Sequence, residues 1–124
     1  MPAADQGKIQ SYGGRLAATV ANPDKIYALL VGESQSTANL QLNGFIGIYV
    51  SNDGGETWTF PQGYMGAPYD ANVNPNPMTF SGDNNPYNQI YYNTTIAVSQ
   101  LDENKILFGG LSLWSSDNGA ASYF

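Results

Sequence analysis

Hydrophobic and polar residues alternate with period two in eight short runs, and nowhere do they recur with the 3.6-residue period of a helix. Leu16 to Val20, Ile26 to Val31, Phe45 to Val50 and Thr57 to Phe60 form a first group of four predicted strands. Thr94 to Val98, Ile106 to Gly110, Ser112 to Ser115 and Ser122 to Phe124 form a second. Asn22-Pro23-Asp24 punctuates the first pair as a tight turn, and Asp53-Gly54-Gly55 separates the last pair as a hairpin loop needing glycine at positive φ. The connection from about Gly32 to Gly44 is polar and predicts a loop, with Leu40 and Leu42 able to lengthen the adjoining strands. The pattern predicts an all-β chain.

The second group repeats the first. Leu16-Ala17-Ala18-Thr19 aligns with Ile96-Ala97-Val98-Ser99 and Lys25-Ile26 with Lys105-Ile106, both at an offset of 80 residues. Ser51-Asn52-Asp53-Gly54-Gly55 aligns with Ser115-Ser116-Asp117-Asn118-Gly119 at an offset of 64, so the second copy lacks an insertion that the first carries before Phe45. Tandem four-stranded units read as two antiparallel propeller blades, 1–60 and 93–124, with 61–92 between them. That middle stretch is rich in Pro, Asn, Gly and Tyr. It exceeds an ordinary turn, and loops beyond about 12–15 residues tend to be functional or disordered.

Composition narrows the chemistry. Glycine and proline supply 14 and 7 of the 124 residues and aromatics 13%, while charged residues reach only 11%, which suits short strands joined by many turns. The formal charge is -6, and the four cations, Lys8, Arg15, Lys25 and Lys105, form no run able to neutralise phosphates. Nucleic acid and anionic membranes are therefore not expected partners, and no apolar run approaches the roughly 20 residues that cross a bilayer. With no Cys and no His, disulfides, thiolate catalysis, imidazole bases and the usual zinc sites are excluded, and neither cofactor nor metal is expected. The neutral polar surface implied by so many Asn, Ser, Thr and Tyr suits a secreted or cell-surface protein, although Met1 to Asp5 shows no signal-peptide pattern.

Ser51-Asn52-Asp53-Gly54-Gly55-Glu56-Thr57-Trp58 has the form S-x-D-x-G-x-x-W, and this segment resembles the Asp-box, or BNR, repeat. The spacing has a physical logic: a carboxylate accepts backbone N–H groups of its own loop, a glycine takes a strained dihedral, and a tryptophan buries its ring beside the sheet. Ser115, Asp117 and Gly119 give a decayed copy with Ser122 at the tryptophan place. Ser51, Asp53, Gly55, Trp58, Ser115, Asp117 and Gly119 are thus expected to be structural. Together with the flanking Val20 to Ala28 and Ile96 to Trp114, the motif looks like the blades of secreted bacterial Asp-box propellers, a family including sialidases, xyloglucanase-type glycosidases and sortilin-like domains. The resemblance implies a scaffold, with Asp-box turns away from the ligand-binding face, and carries no activity by itself.

No catalytic residue is assigned. Asp53 and Asp117 as a glycosidase pair would have to approach within about 5 to 10 Å, whereas the alignment puts them on separate units. The resemblance to sialidases implies an arginine cluster, and this chain has only Arg15. Tyr64, Tyr69, Tyr87, Tyr91 and Tyr92, in or beside the long stretch, are the candidate binding residues, as platforms for a glycan or protein or else as core filler. Asp70 with Asp83-Asn84-Asn85 offers oxygen atoms without a recognised calcium-loop spacing, and Asn93-Thr94-Thr95 matches the N-glycosylation acceptor pattern.

Three functions fit: a non-catalytic binding or scaffold segment of a secreted propeller, part of a glycoside hydrolase completed elsewhere, or a module of a surface or appendage assembly. Two blades do not close a ring of the usual four to eight or so. The expectation is a piece of a larger propeller, the alternatives being several copies in a ring or a face-to-face sandwich. Further blades or further copies of the chain are therefore expected partners.

Overall fold

A computed structural model describes residues 9–34, 44–63, 76–80, 82, 90 and 92–124. These residues are all-β and contain no helix, so none is long and apolar enough to cross a membrane. Strands β1 (Ile9–Thr19), β2 (Asn22–Ser34), β3 (Gly44–Ser51) and β4 (Thr59–Gly63) form one antiparallel meander in the order β1-β2-β3-β4. Strands β5 (Thr95–Val98), β6 (Ile106–Gly109) and β7 (Leu113–Ser116) form a second, in the order β5-β6-β7.

The alternation seen in the sequence becomes two faces of each sheet, because successive side chains on a strand point to opposite sides. Tyr27, Leu29 and Val31 of β2 join Phe45, Ile48 and Val50 of β3 in the main core. Ala28 of β2 joins Ile46 and Tyr49 of β3 on the opposite face, where Leu30, Trp58 and Phe60 pack against them. Phe45 and Ile48 share a face despite their odd spacing because the pairing slips between Leu30 opposite Gly47 and Val31 opposite Phe45. The extra residue is a bulge that resets the alternation.

The second sheet contributes Val98, Ile106 and Phe108 to the same main core, with Ile96 and Trp114 packed against it. Tyr123 is the hub of this junction: its ring meets Phe45 of the first sheet at 6.3 Å, and Phe108 and Trp114 of the second at 5.2 and 5.9 Å, all edge-on. Edge-to-face pairs are the favoured aromatic geometry and add roughly 0.5–1.5 kcal/mol each beyond area burial.

The strands differ from the alternation pattern chiefly at their ends. β4 starts at Thr59 rather than Thr57, because Thr57 and Trp58 are held by the preceding turn. β2 runs on to Ser34, into what the polar composition predicts as loop, because Gly32, Glu33 and Ser34 pair with Ser11, Gln10 and Ile9, which also starts β1 well before Leu16. Leu40 and Leu42 lie outside the described residues. The last predicted run, Ser122 to Phe124, appears only as one reciprocal pair of bonds, Ser115 N to Phe124 O and Phe124 N to Ser115 O, both 3.0 Å.

Part of the long Pro/Asn/Tyr-rich stretch is core. Asn76, Pro77, Met78 and Thr79 are fully buried, and Met78 and Ile90 belong to the main core. The buried polar groups are satisfied locally: Asn76 Oδ1 accepts the Met78 N–H at 3.0 Å and Asn76 O accepts the Thr79 hydroxyl at 3.1 Å. Met78→Ala is expected to cost about 2–5 kcal/mol in urea unfolding, as for other buried side-chain deletions. Leu101→Ala, at a residue 94% exposed, should stay within about 0.5 kcal/mol.

Candidate functional site

The turn between β3 and β4 is built by two side chains. Asp53 Oδ1 accepts the Ser51 hydroxyl at 2.7 Å and the Thr57 N–H at 2.9 Å, while Oδ2 accepts the Thr57 hydroxyl at 2.5 Å. Ser51 Oγ in turn accepts the Gly55 N–H at 2.8 Å. Gly54 and Gly55 have φ of 71° and 100°, the left-handed region that favours glycine. Trp58 Nε1 donates to Gly55 O at 3.0 Å, which fixes the ring against the face holding Ala28, Ile46 and Tyr49. The Thr57 hydroxyl, the Thr57 amide and the Ser51 hydroxyl, in that order, hold the Asp53 carboxyl down at about 2 from 3.8. Its lone pairs are directed at its own loop, which leaves it poorly placed as an acid, base or nucleophile.

The second unit makes the same turn one residue further along than the sequence alignment places it. Ser116 Oγ donates to Asn118 Oδ1 at 2.9 Å and accepts the Ala120 N–H at 3.1 Å, and Asn118 Oδ1 accepts the Ser122 N–H at 3.0 Å. Gly119 and Ala120, with φ of 70° and 69°, stand where Gly54 and Gly55 stand. The offset is therefore 65, not 64: Ser116, Asn118, Ser122 and Tyr123 match Ser51, Asp53, Thr57 and Trp58. Ser115 instead pairs with Phe124, exposed Asp117 occupies the place of Asn52, and Gly119 that of Gly54. An aromatic ring is thus retained at the tryptophan position. Asp53 and Asp117 lie on the turns of different sheets.

The β1–β2 turn is Val20-Ala21, and Asn22-Pro23-Asp24, predicted as the turn, opens β2 because Asn22 already pairs with Thr19. The first connections of the two units nevertheless match at the expected offset of 80. Asn22 Oδ1 accepts the Asp24 N–H at 3.1 Å, and Asp102 Oδ1 accepts the Asn104 N–H at 3.0 Å. Asp24 O accepts the Gly54 N–H at 2.9 Å, just as Asn104 O accepts the Gly119 N–H at 3.0 Å.

Where the sheets meet, the β5–β6 turn docks on the first sheet. Lys25, its side chain only 10% exposed, donates from Nζ to Asn104 Oδ1 at 2.6 Å and lies 3.6 Å from Glu103 Oε1. The ammonium also sits 5.8 Å from the centre of the Tyr27 ring. The Tyr27 hydroxyl donates to Glu103 O at 2.6 Å, and burial, then the charges of Glu103 and Asp102, push its pKa up to about 12. The Thr19 hydroxyl donates to Ser99 O at 2.6 Å and Val20 N to Gln100 Oε1 at 3.1 Å. Sequence reasoning registers Lys25 only as one member of a lysine pair repeated at Lys105. Its recurrence in a chain with four cations is the available signal for a role at the joint.

The equivalent surface of the second sheet receives no such turn among the described residues. A concavity of about 440 Å³ is lined there by Ala97, Ser99, Lys105, Leu107, Ser115 and Phe124, among others. Lys105, which matches Lys25, is 63% exposed at its side chain and, among the described residues, its ammonium pairs with Asp102 alone, at 3.8 Å.

Of the candidate binding tyrosines, Tyr92 is 69% exposed, while Tyr64, Tyr69, Tyr87 and Tyr91 lie outside the described residues, as do Asp70, Asp83, Asn84 and Asn85. Asn93 is exposed, and Arg15 is exposed with its guanidinium donating to Gly14 O at 3.0 Å.

Because the folded pKa of Asp53 is depressed, its contribution to stability is present above 3.8 and is lost as the pH falls toward about 2. Asp53→Asn is expected to flatten that part of the acid-unfolding profile followed by circular dichroism; an unchanged profile contradicts the turn's role. Asn118→Asp is expected to keep or raise the melting temperature at neutral pH, because Ser116 and the Ser122 hydroxyl can both donate to a carboxylate. A loss above about 1 kcal/mol, a typical mutational cost, contradicts the equivalence of the two turns.

The sequence matches no protein-family model and no curated protein sequence.

Proposed function

We propose that this chain is a non-catalytic binding or scaffold segment of a secreted Asp-box β-propeller, its two sheets being neighbouring blades, and that it contacts glycan or protein through its tyrosine-rich stretch. The observation that carries this reading is the sense in which the sheets stack. Phe108, Trp114 and Tyr123 match Ala28, Tyr49 and Trp58 by the offsets of 80 and 65. The first three are packed into the joint between the sheets, whereas the second three lie on the face of the first sheet turned away from it. The front of one unit therefore rests on the back of the other, the arrangement that a radial array of blades repeats.

The non-catalytic part of the reading is supported by the bonds of Asp53 within its own turn and by the separation of Asp53 and Asp117 onto two sheets. The binding part is supported by the exposed ring of Tyr92 at the edge of the tyrosine-rich stretch, a platform suited to a sugar face or a protein surface. Incubation with a panel of chromogenic glycosides is expected to release no chromophore, and Tyr92→Ala is expected to weaken retention on a glycan array. Turnover that Asp53→Asn or Asp117→Asn abolishes would instead identify a glycoside hydrolase.

A further inference from the structure

We propose that the open concavity on the second sheet is a socket for the β1–β2 corner of a second copy of this chain, with Lys105 of one copy paired to Asp24, at the start of β2, of the other. The inference rests on the front-on-back stacking described above and extends it from within the chain to between chains.

The chain's own joint is the template. There the back of the first sheet, with Thr19, Lys25 and Tyr27, receives the β5–β6 turn through Ser99 O, Glu103 O and Asn104 Oδ1. The back of the second sheet carries the matching Ser99, Lys105 and Leu107 at an offset of 80, and these line the concavity. The turn that matches Ser99 to Lys105 is Thr19 to Lys25, and it places Asp24 where Asn104 stands. Lys25 meets a neutral amide oxygen at 2.6 Å, so Lys105 in the same geometry meets a carboxylate. Charge-assisted bonds of this kind are roughly twice as strong as neutral ones.

Apolar side chains are exposed on the back of the second sheet and along the β1 edge of the first. Leu107, Leu113 and Phe124, on or beside the back of the second sheet, are 49%, 67% and 73% exposed. On the front of the first sheet Leu16 is 70% exposed and Ala18 is exposed, although their counterparts Ile96 and Val98 are packed into the chain's own joint. On the front of the first sheet the β1 edge is thus the open part, because Ala28, Ile46 and Tyr49 of β2 and β3 are buried there, and the back of the second sheet is the surface that this edge meets. Joining unlike surfaces gives a head-to-tail interface, which closes into a ring or continues as a filament according to the rotation per unit.

Sedimentation equilibrium on the 124-residue chain tests this. The expected result is concentration-dependent self-association that Lys105→Glu or Asp24→Lys weakens by roughly tenfold or more, as for close interfacial charge pairs, and that the two substitutions together restore. Both side chains are exposed, so the single variants should keep the wild-type urea midpoint. A monomer at every concentration, association indifferent to Lys105→Glu, or a glycan in the concavity of a monomer would each overturn the inference. Lys25→Ala separates the two levels: it should lower the urea midpoint through the internal joint. If it does while Lys105→Glu leaves the mass unchanged, only the inter-copy contact fails; if it does not, the stacking beneath the functional reading fails as well.

Discussion

A β-sheet with apolar side chains on both faces has to cover both, and among the described residues the main core does so by setting one sheet on the other. The joint between the two sheets buries the back of the first against the front of the second, with Tyr123 wedged among Phe45, Phe108 and Trp114. The buried Met78 and Ile90 extend this contact, and the β5–β6 turn reaches across to anchor its edge. Had the sheets met back to back, the two equivalent faces would have closed on each other. Stacked in the same sense, they leave exposed the β1 edge of one front and the back of the other sheet, the counterparts of surfaces already joined.

Lys25 shows how the edge of the joint is made specific. Burying an ammonium costs several kcal/mol unless it is paired and hydrogen-bonded. Here Asn104, Glu103 and the face of Tyr27 share that task, and all the partners beyond β2 come from one turn of the other sheet. The contact is therefore a register device as much as a source of stability: a shift of the second sheet by one residue would strand the charge. The two serine-centred turns do comparable work within each sheet. Each satisfies its own loop amides and ties itself to the neighbouring hairpin through a single backbone bond, Gly54 to Asp24 and Gly119 to Asn104.

Much of this was legible in the sequence. Period-two alternation located all seven strands to within a few residues, except that β1 begins well before Leu16, and the 80-residue repeat of the first hairpins is reproduced by paired turn bonds at Asp24 and Asn104. The second repeat was misread by one position because Ser115-Ser116 and Asp117-Asn118 offer two overlapping ways to match S-x-D. An aspartate attracts an alignment more strongly than an asparagine, yet either oxygen can accept the same N–H. The ring at Tyr123 was the better guide, since an aromatic side chain at the tryptophan place contributes more to packing than the acid contributes to the turn. The burial of Met78 had no period to announce it, because segment 76–79 is neither strand nor helix and is held by Asn76.

The most direct test of the stacking is a set of interproton distances in solution. Nuclear Overhauser effects from Thr19 and Val20 to Ser99 and Gln100, and from the Tyr27 ring to Glu103, follow from the 2.6 and 3.1 Å contacts that join the first sheet to the β5–β6 turn. Their presence, together with contacts from Tyr123 to Phe45, is the predicted result. Contacts from Tyr27 to its own counterpart Leu107 in their place would mean that the sheets pack back to back, and would contradict the account.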